Sequence, residues 1–136
     1  MARKKHQHQF KAKKKEAIAH ATLSKGKGVI RINSINLNAV SPPFVQELIR
    51  EPLYFVPSAA GEVDIDIDVR GGGFMSQAIA SRACIAKALV DYTGDEKLKK
   101  DYTAYDRMLL VDDARRTEPK KPLGPKARRK KQHSKR

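Results

Sequence analysis

The clearest pattern in the chain is a strict alternation of apolar and polar positions over residues 62–70. Its apolar side chains would all point to one side of an extended strand, and its charged side chains to the other. Three glycines at 71–73 end the alternation, and from residue 74 to 92 the apolar period becomes that of a helix. Gly94 is a typical stop signal. This segment predicts a strand, a glycine turn and a long helix.

Short apolar runs before this segment predict further elements. The runs 17–23 and 29–33 are separated by a Ser-Lys-Gly-Lys-Gly stretch. Because its glycines can adopt the positive φ angles of a turn, we expect the two runs to pair as a hairpin. Ser41 is followed by two prolines, which predicts a capped helix through Ile49 that Pro52 ends.

The region after the long helix predicts one more helix and one more strand. Asp95 can cap a helix that runs to about Thr103, and residues 108–111 form a brief apolar run. The complete order of elements predicts an α/β (α+β) fold, in which helices pack on one face of a mixed β-sheet.

Charge divides the 136 residues into three parts. The net charge is +14, from 29 Lys and Arg against 15 Asp and Glu. Seven basic residues and one acid occupy residues 1–16, and eleven basic residues and one acid occupy 114–136, whereas 17–113 hold eleven basic and thirteen acidic residues. We therefore predict a globular domain at 17–113, a basic N-terminal extension at 1–16 and an extended basic C-terminal arm at 114–136. Both ends have too few apolar residues to fold alone, so we expect them to be disordered in the free protein.

The basic ends favour nucleic acid as the partner, because each phosphate contact releases bound counterions. A membrane is not expected, since neither end has an apolar helical face and no run of about 18 apolar residues occurs. No apolar signal segment follows the charges of residues 1–5, which predicts an intracellular protein. The single cysteine, Cys84, lies in an apolar helical pattern and is predicted to be a core residue in a reducing compartment.

The glycine turn is the first candidate site. Backbone amides between a strand and a helix N-terminus can bind a phosphate, which leaves three interpretations: an RNA phosphate, a nucleotide phosphate or a plain tight turn. Residues 71–73 match neither a Walker A pattern nor a dinucleotide fingerprint.

Neither the acids nor the histidines predict a metal site. Asp64, Asp66 and Asp68 would lie about 7 Å apart per step along a strand, too spread for Ca²⁺ or Mg²⁺. We expect the carboxylates of these three aspartates to face solvent or a partner and to point away from RNA phosphates. His6 and His8 have no further ligands nearby in sequence. No set of nucleophile, base and orienting acid is visible, so we predict no enzyme activity and no cofactor.

Several basic and glycine-containing stretches resemble one known family. They are residues 13–15 and 26–28 and, most specifically, 105–107 with 109–111, then 115–121 and 128–136. Together they resemble small-subunit ribosomal protein nine in its archaeal and eukaryotic branch, nearly from end to end. Three positions depart from the family's pattern, namely Ala12, Lys14 and Lys135, where a Gly, an Arg and a Tyr are usual.

This resemblance implies a mixed sheet with a left-handed βαβ crossover and a place in the head of the small subunit of cytoplasmic ribosomes. It implies small-subunit ribosomal RNA and neighbouring head proteins as partners, with no small-molecule substrate. The C-terminal tip, Lys135 and Arg136, is implied to contact the peptidyl-site tRNA.

Composition, the glycine turn and the resemblance together give the candidate RNA-binding residues. Two alternatives stay open: a small kinase-like enzyme with a nucleotide at the glycine turn, and a free RNA chaperone or ribonuclease P-like protein. The candidate RNA-binding residues are Lys13, Lys14, Lys15, Lys25, Lys27, Arg31, Gly71, Gly72, Gly73, Arg107, Arg115, Arg116, Lys120, Lys121, Lys126, Arg128, Arg129, Lys130 and Lys131.

Overall fold

The computed structural model describes residues 8–134, in which one mixed sheet has the strand order β1-β2-β5-β3-β4. Neighbouring strands are antiparallel except β3 and β5, which are parallel. The strands are β1 (His8–Lys14), β2 (Ala17–Lys25), β3 (Ile30–Ile32), β4 (Ile35–Asn36) and β5 (Val63–Arg70).

Helices connect the strands and follow the last of them. Helices α1 and α2 lie in the connection between the parallel strands β3 and β5. This connection is a crossover, and its left-handedness stays a prediction. The α-helices are α1 (Pro43–Tyr54), α2 (Pro57–Ala60), α3 (Phe74–Thr93) and α4 (Glu96–Tyr105), and the 3₁₀ turns are Leu37–Ala39 and Arg107–Leu109.

The predicted strand, glycine turn and long helix are confirmed. The apolar residues of β5 are at most 4% exposed, which fits a strand with one face in the core. Helix α3 ends at Gly94, whose φ of 63° lies in the left-handed region. The helix predicted to follow Asp95 is also confirmed as α4, since the Asp95 side chain accepts a hydrogen bond from the amide of Lys97 at the start of this helix.

Helix α3 packs against β1, β2 and β5 and brings the core together. Small side chains on both elements, such as Ala19 on β2 and Ala80 on α3, allow a close approach. The Sγ atom of Cys84 lies 3.2 Å from the carbonyl oxygen of Ala19, and burial raises the pKa of this thiol to about 11. Cys84 is therefore a core residue as predicted, and the predicted mixed sheet with helices on one face is confirmed.

The predicted pairing of residues 17–23 with 29–33 is wrong. Strand β5 lies between β2 and β3, and the hairpin partner of β2 is β1. The loop at residues 26–29 crosses over the start of β5, where its backbone is bound by the side chain of Asp64. The amides of Lys27 and Val29 donate to Asp64 Oδ1 at 2.8 and 2.9 Å.

The predicted disordered extension is wrong for residues 8–14, which form the edge strand β1. Ala12 is fully buried and Phe10 packs against the core, so this basic strand has an apolar inner face. The remaining residues of the predicted extension before His8 lie outside the described residues. In the arm, residues 114–134 contain no helix and no paired strand.

Two shorter predictions also differ from the structure. Helix α1 continues through Pro52 to Tyr54, where Pro52 is buried and its carbonyl accepts a hydrogen bond from the Tyr102 hydroxyl at 2.7 Å. The residue at the cap of this helix is Pro42 rather than Ser41. Residues 108–111 form no strand. The carboxylate of Asp106 caps the 3₁₀ turn Arg107–Leu109 by accepting a hydrogen bond from the amide of Met108.

Candidate nucleic-acid interface

The C-terminal arm leaves the domain beside the last residues of β1. The amide of Asp113 donates to the carbonyl of Lys13 at 3.0 Å, and the amide of Lys15 donates to the carbonyl of Asp113 at 3.3 Å. These bonds form a short parallel bridge between Lys14 and Asp113. The base of the arm is therefore attached to the edge of the sheet.

The carboxylate of Asp113 is the centre of this attachment and is 4% exposed. Arg115 donates to it from its backbone amide at 3.0 Å and from Nη2 at 2.8 Å, and Lys14 Nζ donates at 2.8 Å. These bonds, those of Arg115 first, hold the pKa of Asp113 far below its usual range. The ammonium of Lys14, whose side chain is only 16% exposed, is thus directed to Asp113.

The neighbouring Asp112 adds a second attachment, to helix α3. Lys87 Nζ lies 2.6 Å from Asp112 Oδ1 and also donates to the carbonyl of Lys11 at 2.8 Å. The amide of Lys13 donates to the same Asp112 oxygen at 3.3 Å. Sequence reasoning missed Lys87, which is half-buried on a largely apolar helix, and no sequence pattern indicates its partner.

The glycine turn lies beside the turn that joins β1 to β2. Gly71 and Gly72 have φ angles of 80° and 63°, and a Cβ on Gly71 would lie 2.5 Å from the carbonyl oxygen of Glu16. Only glycine suits this turn. Helix α3 then begins at exposed residues, without a side-chain cap and without an acid in its first turn. Its first amides have no partners within the helix and carry the positive end of the helix dipole.

Some predicted residues therefore meet at one end of the sheet. Across the open face, Lys13 of β1 is opposite Ile18, and Ile18 is opposite Arg70 of β5. Asp68 precedes Arg70 on this same face, so the prediction that the acidic row points away from RNA phosphates is at odds with an RNA contact here. Arg70 was not among the candidates, although its place at the end of the alternating strand was a usable signal. We call this region the arm-base surface: Lys13, Lys15, Arg70, Gly71, Gly72, Gly73, Arg115 and Arg116.

Other predicted residues lie elsewhere. Lys25 is at the opposite end of β2, about 26 Å along the strand from Ala17, and Lys27 is in the loop that follows. Arg31 is on β3, where its Nη1 lies 3.5 Å from Asp66 Oδ1. Arg107 begins the 3₁₀ turn after α4.

The acidic row of β5, predicted to be solvated or partner-facing, has two exposed members, Asp66 and Asp68, and one half-buried member, Asp64. Donation from the amides of Val29 and Lys27 lowers the pKa of Asp64, which holds the preceding loop. A Cβ on Gly26 would overlap this carboxylate. Asp66 faces Arg31, and Asp68 is opposite His20. Within residues 8–134, no cluster of His, Cys, Asp and Glu side chains has a geometry suited to a metal ion.

The arm presents its cations to solvent as far as the structure describes it. All nine Lys and Arg side chains of residues 114–134 are exposed. Arg128 is also engaged within the arm, by an ion pair with Glu118. The predicted tip residues, Lys135 and Arg136, lie outside the described residues.

Comparison with known proteins covers both the domain and the basic arm. The family model described as Ribosomal protein S9/S16 matches residues 12–136. The chain belongs to this family. The match begins within β1, so the S9/S16 family pattern includes the last three residues of this strand as well as the arm.

Curated relatives are similar over nearly the whole S9/S16 pattern. Small ribosomal subunit protein uS9 of Methanococcus maripaludis is 45% identical over 125 residues, which cover 89% of this chain and 93% of the relative. The protein of the same name from Methanothrix thermoacetophila is 46% identical over 122 residues, or 90% and 92% of the two chains. The resemblance noted from the sequence is confirmed. Of the helices in residues 8–134, none is both long and apolar enough to span a membrane.

Proposed function

We propose that this chain is an RNA-binding structural component of the small ribosomal subunit, with its tip at the peptidyl-site tRNA. One observation carries the proposal: the exposed cations are concentrated in an arm that adds nothing to the core. Residues 17–113 hold eleven basic and thirteen acidic side chains, whereas residues 114–134 hold nine exposed basic side chains and one acid. A folded domain needs no such arm for its own stability.

The chemistry of the arm fits a polyanion. A Lys or Arg that contacts a phosphate releases condensed counterions from the nucleic acid, so a dense row of exposed cations gains affinity without reading bases. The prolines at 119, 122 and 125 keep the arm from forming a helix, which suits a segment that passes between RNA helices. Recognition would then depend on RNA shape.

The arm-base surface would make the first contact of the domain. Lys13 and Arg70 lie on either side of Ile18 near an exposed glycine turn, Lys15 lies in the turn between β1 and β2, and the positive end of α3 follows the glycines. This combination suits an RNA phosphate, which is the first of the three interpretations of the glycine turn. Lys25, Lys27, Arg31 and Arg107 would contact separate RNA segments. Lys14 would act through Asp113, by fixing the base of the arm.

The arm is long enough for a distant contact. The 23 residues after Asp113 would span about 75 Å if fully extended, an upper limit that the bonds within residues 118–131 reduce. Lys135 and Arg136 at its end would supply two positive side chains to the phosphates of the tRNA, and a lysine at 135 would add charge but no stacking. The proposed partners also include neighbouring proteins of the subunit head, and the proposed location is the cytoplasmic ribosome.

The test is sedimentation of an N-terminally tagged chain through sucrose gradients of native lysate, at moderate and at high salt. We expect stoichiometric migration with small subunits and whole ribosomes at both salt concentrations. The matched control is a chain that ends at Thr117, which keeps the Asp113 attachment but loses nine of the eleven arm cations. It should dissociate at high salt. Recovery of the complete chain only at the top of the gradient would refute the proposal.

A further inference from the structure

The middle of the arm is folded back on itself. The Arg128 guanidinium donates to both carboxylate oxygens of Glu118, from Nε at 2.9 Å and from Nη2 at 2.6 Å. The amide of Lys131 also donates to the carbonyl of Leu123 at 2.9 Å. These bonds close residues 118–131 into what we call the arm loop.

Backbone packing supports the same closure. A Cβ on Gly124 would overlap the carbonyl of Arg129, so the two sides of the loop approach each other more closely than an alanine would allow. Leu123 has a φ of 70°, a left-handed conformation that redirects the chain. Three prolines within and beside the turn restrict the open chain, which lowers the entropy lost when the loop closes.

The charge pattern identifies Glu118 as the unusual residue. It is the only acid in residues 114–136, among eleven Lys and Arg. A carboxylate in a segment that binds phosphates is unfavourable unless it has another role, because it repels them. Its bidentate pair with Arg128 supplies that role, and the pair lowers the pKa of Glu118.

Closure of the loop shortens the arm. Fourteen extended residues would span about 45 Å, but the bonds join residue 118 to 128 and residue 123 to 131, which folds this segment back on itself. The distance from the domain to the tip then depends mainly on the four residues before the loop and the five after it. Those nine residues span at most about 30 Å.

We propose that the arm loop is a positioning element, in which the Glu118–Arg128 pair sets how far the tip lies from the domain. The inference rests on the proposed function, since it needs the tip to have a fixed target. It also changes the role of Arg128, which the sequence predicts as an RNA contact. Arg128 acts on the loop, and the neighbouring exposed cations contact RNA.

The experiment compares small subunits assembled with three versions of the complete chain: wild type, Glu118→Gln and the charge-exchanged E118R/R128E. The rate of tRNA dissociation from the peptidyl site is measured for each. We expect Glu118→Gln to raise this rate roughly two- to threefold, the size of effect that an exposed ion pair supports. The exchanged variant keeps the net charge and can reform the pair, so it should return to the wild-type rate.

The alternative, in which Arg128 only binds phosphate, predicts the opposite signs. Glu118→Gln removes the one acid of the arm, so the tRNA should then dissociate at the same rate or more slowly. The exchanged variant should be defective, because it places an acid at an RNA contact. Either result would overturn the inference.

Two further measurements separate this inference from the proposed function. A chain without Lys135 and Arg136 shows whether the tip affects tRNA at all, and an unchanged rate would reject the tip contact alone. Spin labels at positions 117 and 132 in assembled subunits report the loop directly. We expect one short distance for the wild-type and exchanged pairs and a longer, broader distribution for Glu118→Gln. Equal distributions in all three would reject the positioning role.

Discussion

Arginine serves two different purposes in the domain and in the arm. Arg82 on α3 is 8% exposed, and its Nη2 lies 2.7 Å from Asp106 Oδ2 while its Nε lies 2.9 Å from Glu51 Oε2. It joins α3 to α1 and to the turn after α4. Arg129 in the arm is exposed and belongs to no part of the core.

The difference lies in what surrounds each charge when the protein is free. A buried guanidinium has lost its hydration, so its removal leaves two carboxylates without the cation that compensates them. An exposed arm arginine is still hydrated and, in the proposed function, would exchange water for phosphate when RNA binds. The buried charge of Arg82 therefore maintains the fold, whereas the exposed charge of Arg129 is available for the proposed RNA contact.

The largest expected effect of breaking this division is at Arg82. Replacement of Arg82 by Met should lower the free energy of unfolding by about 3 kcal/mol, since it leaves Glu51 and Asp106 unpaired. Urea unfolding of the free protein, followed by circular dichroism, measures this loss. Arg129→Gln is the control and should change the free energy by less than about 0.5 kcal/mol. Equal effects of the two variants would contradict the division.

An intermediate effect is expected at Asp113, where the two regions join. Its carboxylate is buried, but its partner Arg115 is 74% exposed. Because the folded protein holds the pKa of Asp113 below the unfolded value, this group stabilises the fold above the ordinary aspartate pKa of about 3.9. The stabilisation is lost as the pH falls below that value.

The measurement is urea unfolding of the wild-type chain and Asp113→Asn from pH 7 to pH 3. The wild type should be more stable at pH 7, by less than the effect of Arg82→Met, and the difference between the two curves should begin to shrink below about pH 4 and be smaller at pH 3. Other acids titrate in both proteins, so the difference reports Asp113. A difference that stays constant over the whole range would show that the carboxylate charge plays no part.

The sequence predicts the strongest periodic elements and the separation of charge well. Strand β5 and helix α3 follow from patterns of apolar positions, which the core enforces. Strand β1 was missed because its lysines dominate the composition, although Phe10 and Ala12 alternate with them. Its stability comes from pairing with β2, and a pairing partner is not visible in local sequence.

Ion pairs between distant residues were beyond sequence reasoning for the same reason. Asp113 and Lys14 are 99 residues apart, and the chain holds 29 cations that might have been the partner of any acid. The sequence thus identifies which segments are basic, but not which of their cations are already engaged. The structure assigns Lys14 to Asp113 and Arg128 to Glu118.

The smallest effect on stability is expected for the free cations of the arm, and it comes with a distinct effect on RNA binding. In the triple variant K120Q/K121Q/R129Q, the free energy of unfolding should change by less than about 0.5 kcal/mol. Its affinity for small-subunit ribosomal RNA should depend less on salt. Each lost phosphate contact lowers the slope of log affinity against log salt by about 0.9, so the slope should fall by up to about 3.

The matched control is K97Q/K99Q/K100Q, which removes the same charge from exposed positions of α4 in the domain. If only the net charge of the protein drives binding, the two triple variants should lower the slope equally. If the arm makes the contacts, only the arm variant should lower it, because the α4 lysines then touch no phosphate. Equal slopes for the two variants would mean that the exposed cations of the domain and of the arm do not differ in function. The contrast between Arg82 and Arg129 would then be one between buried and exposed charge, not between domain and arm.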